Sequence, residues 1–483
     1  MSNDFKPRGL AINDQSYFQL LKGAPMLRLK QITLAMMLAL PFASVHSAEV
    51  VDPSAFNQLQ TKVDAIQDSM ETSGFKGLRI SAGLDPVYMY NKAKGTSSFS
   101  FLNNFSSLNN SGEFYSYDNS YFGMAYLDIQ KEMDDGGTKM RLTLVPSKSA
   151  GSGYNFGNIV HEASVSIPLD GPSTRLIAGQ MPDVSGYQPY VNTFVGTNTL
   201  SSNLLYPGYA EYFITKNMLF DFTAATFYTG AGVDITRGPW ETKLILANFN
   251  SARNDCPATP ISAGANTCVG SSKSPTLIYN STYAQEEYWG FEFTGYEGVV
   301  NNWNAGGVSH LDQFEIDTWF TRADFNTNIQ YTIGRQKTAA NNVDAAGNRG
   351  DSGWWGISSL VSERVTSKLT LAARLDYLND QKNGGGTFNV YNSNPFNPTL
   401  AATGVTGDGI NGFGPGQNAT GSNPLGANRY SLSLSSTYRL TRYAELRAEL
   451  RHDVATTQAF YYFTDGTFHK TNDTVGLQTV VNF

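Results

Sequence analysis

After Val50 the chain has no run of eighteen apolar residues, which excludes membrane-spanning helices from that part. Charge is scarce as well. Asp, Glu, Lys and Arg make up 16% of 483 residues, against about 25% in ordinary soluble domains. The formal net charge is −7 and no basic block stands out, which argues against nucleic acid as a partner. The five histidines, His46, His161, His310, His452 and His469, are scattered, and none has a second histidine four residues away. P-loop, HExxH and GxSxG motifs are missing. Gly407–Gly412 formally matches GxGxxG, but it lies in a Gly/Asn-rich stretch with no strand before it and no helix after it. No catalytic reaction, cofactor or metal is expected. The two cysteines, Cys256 and Cys268, sit in NDCPATPISAGANTC, a loop-like stretch. The spacing is a poor zinc signature without a histidine cluster, and in an exported chain a local disulfide clamping a surface loop is the expected state.

What the chain does have is 26 Tyr, 29 Phe and 46 Gly. From Lys76 onward apolar residues recur at every second position. Leu78, Ile80, Ala82 and Leu84 open the series; Met140, Leu142 and Leu144 alternate with Lys139, Arg141 and Thr143. Leu369, Leu371, Ala373 and Leu375 alternate with Thr370, Ala372, Arg374 and Asp376. Val475, Leu477, Thr479, Val481 and Phe483 share one face of a final strand, and Gly476, Gln478, Val480 and Asn482 share the other. About sixteen such strands are predicted, with long connections at 91–118, 146–157, 182–226, 250–285, 306–312, 338–353, 379–428 and 453–473. Short turns fall between them. This long–short alternation, with Trp240, Tyr438 and Tyr443 near strand ends, is what a membrane barrel requires and a soluble sandwich does not. The expected strands include 288–296 and a separate, compositionally poor strand at 299–305. The expected fold is all-β: a transmembrane antiparallel β-barrel of about sixteen strands over residues 76–483, preceded by a short periplasmic helix or coiled coil.

The preceding residues divide by composition. Residues 26–48 have Arg28 and Lys30, an apolar core and then small residues, the pattern of a secretory signal peptide. Residues 1–25 are polar and read as a non-native or disordered extension. In 49–75, Phe56, Leu59, Val63, Ile66 and Met70 follow a 3, 4, 3, 4 spacing, the seam of a two-heptad coiled coil. Two heptads are marginal alone, and trimerisation beside a barrel would raise their local concentration.

A charge facing the bilayer midplane costs about 2–4 kcal/mol, so charges within alternating strands must face the lumen. That expectation covers Lys139, Arg141, Glu162, Glu241, Lys243, Arg374, Asp376, Glu445, Arg447, Glu449 and Arg451 as pore-lining residues. They either brace the wall or filter ions. The connection 182–226 is rich in Tyr, Phe and Leu, and is expected to fold into the barrel mouth as a constriction. Within it Asp183, Glu211 and Lys216 are the charges that would line the narrowing.

These features together resemble a bacterial outer-membrane porin. The resemblance rests on the signal peptide at Met26, the heptad at Phe56–Met70, the strand pattern, and a terminal strand ending at Phe483, similar to the signal read by the barrel-assembly machinery. LIAGQMPDVSGYQPY, at 176–190, resembles the passage from strand to third loop in porins. YDNSYFGMAYLDI and LFDFTAATFYTGAG are similar to uncharacterised porin-like proteins of proteobacteria. The resemblance implies a trimeric barrel in outer-membrane lipid and lipopolysaccharide, passing small hydrophilic solutes, with small anions or organic acids as the expected preference. The alternative is a barrel scaffold with a plugged lumen, whose surface loops, notably 379–428, bind partners or surfaces.

Overall fold

The structure, a computed structural model, describes residues 77–93, 95–101, 123–133, 137–145, 159–169, 171–187, 212–223, 227–249, 275–285, 288–301, 308–340, 346, 348, 350–379, 428–462 and 464–483. The expected signal peptide, heptad helix, Cys256–Cys268 pair and Glu211 lie outside these residues.

The first strand is broken. β1 (Leu78–Leu84) and β2 (Val87–Asn91) both pair with β20 (Thr471–Asn482), separated by Asp85 and Pro86. Proline has no N–H to give a ladder, so the break falls there. Asp85 anchors it: its main-chain N–H donates to the Met124 carbonyl at 2.9 Å, and Gln478 Nε2 donates to Asp85 Oδ2 at 3.1 Å. β3 (Thr96–Ser100) folds back on β2 as a hairpin.

The wall then runs through β4 (Ala125–Glu132), β5 (Lys139–Leu144), β6 (Val160–Pro168), β7 (Thr174–Pro182), β8 (Phe227–Arg237) and β9 (Trp240–Phe249). It continues with β10 (Thr276–Gln285), β11 (Trp289–Asn301), β12 (Val308–Arg322), β13 (Phe325–Gln336) and β14 (Ser352–Arg364). β15 (Leu369–Asn379), β16 (Arg429–Arg439), β17 (Ala444–Ala455) and β20 complete it. Each strand pairs antiparallel with the next, and β1 pairs with both β4 and β20, so the sheet closes as a sixteen-strand barrel. A small hairpin, β18 (Phe460–Tyr462) with β19 (Thr467–His469), lies in the connection before β20.

Strand number agrees with the sequence reading, but one strand sits elsewhere. Residues 299–301 are the end of β11, not a separate strand, and the missing strand is β10, inside the expected loop 250–285. The reason is its weak alternation: Ile278 faces inward and is fully buried, while Ser281 lies on the outward face.

The outward face is an apolar band closed by aromatics at both ends. Along β16, Tyr430, Leu432 and Leu434 are exposed, with Tyr438 at the far end. Eight residues span about 26 Å along a strand, which a tilt of about 40° projects to about 20 Å, comparable with the apolar height of membrane barrels. At the long-loop end Trp355 and Tyr377, then Tyr377 and Tyr430, pack as tilted pairs with ring centroids 4.9 Å apart. At the short-turn end Trp240 packs on Tyr283 at 5.0 Å and Tyr283 on Trp289 at 5.4 Å. On β20, Val475, Leu477 and Phe483 are exposed on this outward face, as expected, with Thr479 and Val481 half-buried between them.

Candidate functional site: the charged lumen and its inward-folded segment

After β7 the chain turns into the barrel instead of away from it. Asp183 at the turn accepts hydrogen bonds from Ser185 Oγ (2.7 Å) and the Tyr296 hydroxyl. Asn280 Nδ2 holds the Val184 carbonyl at 3.3 Å, and the Tyr187 hydroxyl meets Ser358 Oγ at 2.7 Å. Burial raises the Tyr187 and Tyr212 phenols above their ordinary value, so both stay protonated as hydrogen-bonding groups.

The returning arm, residues 212–223, is buried at every position whose side chain is described. It ends in α1 (Met218–Thr223), whose start is capped by Asn217: the Phe220 N–H donates to Asn217 Oδ1 at 2.6 Å. Met218, Leu219 and Phe222 are fully buried, and Phe222 meets the Trp354 ring edge-on at 6.2 Å. Burying each such side chain is worth about 1.5–3 kcal/mol.

Two glycines on inward faces make room. A Cβ on Gly356 would stand 2.3 Å from Leu219 Cδ2, and one on Gly476 would stand 2.8 Å from Ile214 Cδ1.

Charged wall residues clamp the arm at Thr215 and Lys216. Glu449 accepts the N–H groups of Ile214 (2.6 Å) and Thr215 (2.8 Å). Arg374 donates to the carbonyls of Thr215 (2.9 Å) and Lys216 (3.0 Å), and its guanidinium lies 4.5 Å from the Phe213 ring centre. Arg451 donates to the Lys216 carbonyl at 2.7 Å. Asp376 links both arms: it accepts from Ser358 Oγ at 2.7 Å and from the Met218 N–H at 3.4 Å. The expected infolding of 182–226 is therefore observed wherever the segment is described, with Asp183 and Lys216 both buried.

All eleven strand charges singled out from sequence face away from the lipid side. Ten are largely buried, and Lys139 is half-exposed near the short-turn end, 3.6 Å from Glu132. They form separate ion pairs. Arg141 meets Asp128 at 3.0 Å and Glu162 at 3.4 Å; Lys243 meets Glu241 at 2.6 Å; Arg447 meets Glu445 at 3.5 Å.

Alternation also carried inward charges that the sequence reading left out. Arg429 pairs with Asp453 at 3.0 Å. In QFEIDTWF, Glu315 and Asp317 alternate with Phe314 and Ile316, and Asp317 lies directly opposite Glu292 of β11. Glu292, Glu315 and Asp317 are all buried; Thr282 donates to Glu292 at 2.8 Å and Thr332 to Glu315 at 2.6 Å. Among the described residues no lysine or arginine lies within ion-pair distance of Glu315 or Asp317, and neither Asp317 oxygen accepts a hydrogen bond. The inner wall thus has an arginine-rich side on β15–β17, already paired, and a carboxylate strip on β11–β12.

Residues 43–483 match the family described as protein of unknown function (DUF3138). No curated protein sequence matches the chain. Among solved structures, it is similar to the outer-membrane expressed OmpT of Vibrio cholerae, at 9% identity over 84% of this chain and 97% of that one, with a TM-score of 0.47. OmpF of Salmonella typhi, in complex with daunomycin, gives the same identity, coverage and TM-score: 9%, 84%, 97% and 0.47. The outer membrane channel DcaP of Acinetobacter baumannii gives 9% identity, 84% and 97% coverage, and 0.44. The closed sixteen-strand barrel, its apolar outer band and its paired aromatic belts have the pattern of a membrane-spanning barrel.

Proposed function

The chain belongs to the family described as protein of unknown function (DUF3138), and on that premise we propose that it is a diffusion porin for small hydrophilic solutes and ions. The observation that supports this most directly is the clamping of Thr215 and Lys216 by Glu449, Arg374 and Arg451. A segment held in place by wall residues narrows the lumen at that level, and the charged wall around it is what a water-filled lumen calls for. The reading assigns no catalytic step.

Charge preference follows from which lumen charges are already neutralised. The sequence suggested small anions or organic acids. Yet Arg374 pairs with Asp376, and Arg429 and Arg451 both pair with Asp453, while Arg374 and Arg451 also hold main-chain carbonyls. Glu315 and Asp317 have no basic partner among the described residues, so whatever charge this strip carries is negative and unpaired, and the preference we propose is for small cations. Three barrels side by side, joined through the heptad at Phe56–Met70, are the proposed assembly. The face of β20 that carries Val475, Leu477 and Phe483 is the proposed signal to the assembly machinery.

One observation favours the plugged scaffold instead: Arg374, Glu292 and Asp317 have no solvent exposure. Single-channel recording of the folded protein in a planar bilayer, under a KCl gradient, separates the two. Discrete steps with a reversal potential of cation-preferring sign support the porin. Silence from protein shown to be folded overturns it in favour of the scaffold, and steps of the opposite sign overturn only the cation preference.

A further inference from the structure

The outward face carries a polar knot where the lipid-facing pattern calls for apolar residues. It lies at the long-loop end of β11 and β12, where Glu297 is directly opposite Asp312 and Val299 opposite His310. Two like charges directly opposite each other across a strand pair repel, and a sheet ordinarily avoids them. Here His310 lies between them. Its Nε2 is 2.9 Å from Glu297 Oε1 and 2.8 Å from Asp312 Oδ1, and the three ligand atoms all fall within 4.8 Å of one another. One ring nitrogen carries at most one proton, which cannot make a full hydrogen bond to both oxygens at once. The neighbouring cation does not resolve this. Arg335, opposite Asp312 on β13, gives its Nε and Nη2 hydrogens to Asp351.

We propose that Glu297, His310 and Asp312 form a divalent metal-ion site on the outer rim of the barrel, selective for zinc-like transition ions. The chemistry of the donor set supports this. One imidazole and two carboxylates suit Zn²⁺, Co²⁺ or Ni²⁺, while Mg²⁺ and Ca²⁺ prefer all-oxygen sets. Ligand bonds of about 2.0–2.2 Å hold tetrahedral donors about 3.3 Å apart, so His310 and its two carboxylates need separate by only about half an ångström. All three donors stand on paired strands, which fixes their spacing in advance. The bound ion neutralises the two opposed carboxylates. Its remaining position faces away from the wall, because Glu297, His310 and Asp312 are each partly exposed, at 53%, 33% and 44% of the side chain.

The other described histidines provide the control. His452 has Asp473 beside it and His469 has Asp465, one carboxylate each, and His161 is buried. The test is equilibrium binding of Zn²⁺ and Co²⁺ to the full-length chain, folded in detergent, with Mg²⁺ as competitor. The expected result is one ion per barrel, undisturbed by excess Mg²⁺, with a Co²⁺ visible spectrum of mixed nitrogen and oxygen ligation. Affinity should fall at least tenfold in His310→Ala and in Glu297→Gln, and stay unchanged in His452→Ala. Absence of stoichiometric binding to the folded parent protein overturns the proposal, as does full binding retained in folded His310→Ala. Parent binding is measured first, so a variant that fails to fold leaves the proposal decided by the parent and by Glu297→Gln.

Discussion

Glu449 on β17 accepts the main-chain N–H of Thr215 at 2.8 Å, so a wall carboxylate and a residue 234 positions earlier share one bond inside the barrel. The same carboxylate takes the Ile214 N–H and the Thr215 hydroxyl. The two arginines hold the arm from the opposite polarity, through its carbonyls. The arm is thus fixed by complementary groups on β15 and β17, and each can be removed separately.

Glu449→Ala should release the arm. Two buried N–H groups would lose their acceptor, at about 1–3 kcal/mol each. In planar bilayers the expected outcome is a noisier channel of larger mean conductance, with the barrel itself still heat-resistant on gels. Conductance indistinguishable from the parent would mean the arm does not narrow the pathway.

Arg374→Met removes the other clamp, and its effect should appear in stability. Arg374 has no exposed surface, and it pairs with Asp376 at 3.2 Å while holding the Thr215 and Lys216 carbonyls. Breaking a buried pair from one side leaves an uncompensated charge, at about 3–5 kcal/mol. Urea-induced unfolding in lipid vesicles should show a loss of that size, and Arg374→Met with Asp376→Leu should recover part of it.

The two close-approach glycines should differ in severity. In Gly356→Ala the new methyl meets Leu219 at 2.3 Å and the Tyr377 carbonyl at 2.7 Å, so both the arm and the sheet must shift. In Gly476→Ala it meets Ile214 at 2.8 Å and Met89 at 3.6 Å, both flexible side-chain ends. Conductance should change clearly in the first and little in the second.

Much of this was legible in the chain. Period-two alternation located fifteen of the barrel positions and turned the eleven strand charges named from it inward, because lipid tolerates few errors of parity. β10 escaped because the wall beside the infolded segment is itself apolar: Ile278 and Ala284 face inward, and the contrast between its faces vanishes. Within 182–226 the described residues 212–223 are buried in line with the segment's apolar content, but the partners that clamp Thr215 lie more than 150 residues away, and no local pattern encodes them. The Glu297, His310 and Asp312 knot is equally non-local, since strand register alone brings it together.

The carboxylate strip gives the sharpest test of ion preference. Asp317 and Glu292 face each other across β11 and β12, with Glu315 two residues along the same face. Asp317→Asn with Glu315→Gln removes up to two negative charges from the lumen and keeps both shapes. If these groups set the field, the reversal potential in a KCl gradient must move toward the anion side, most strongly at low salt, where screening is weakest. Arg429→Gln should move it the other way by less, because the Asp453 it leaves behind also binds Arg451 at 3.0 Å. A reversal potential insensitive to the strip would assign the carboxylates to bracing β10–β13, held by Thr282 and Thr332, with no part in choosing ions.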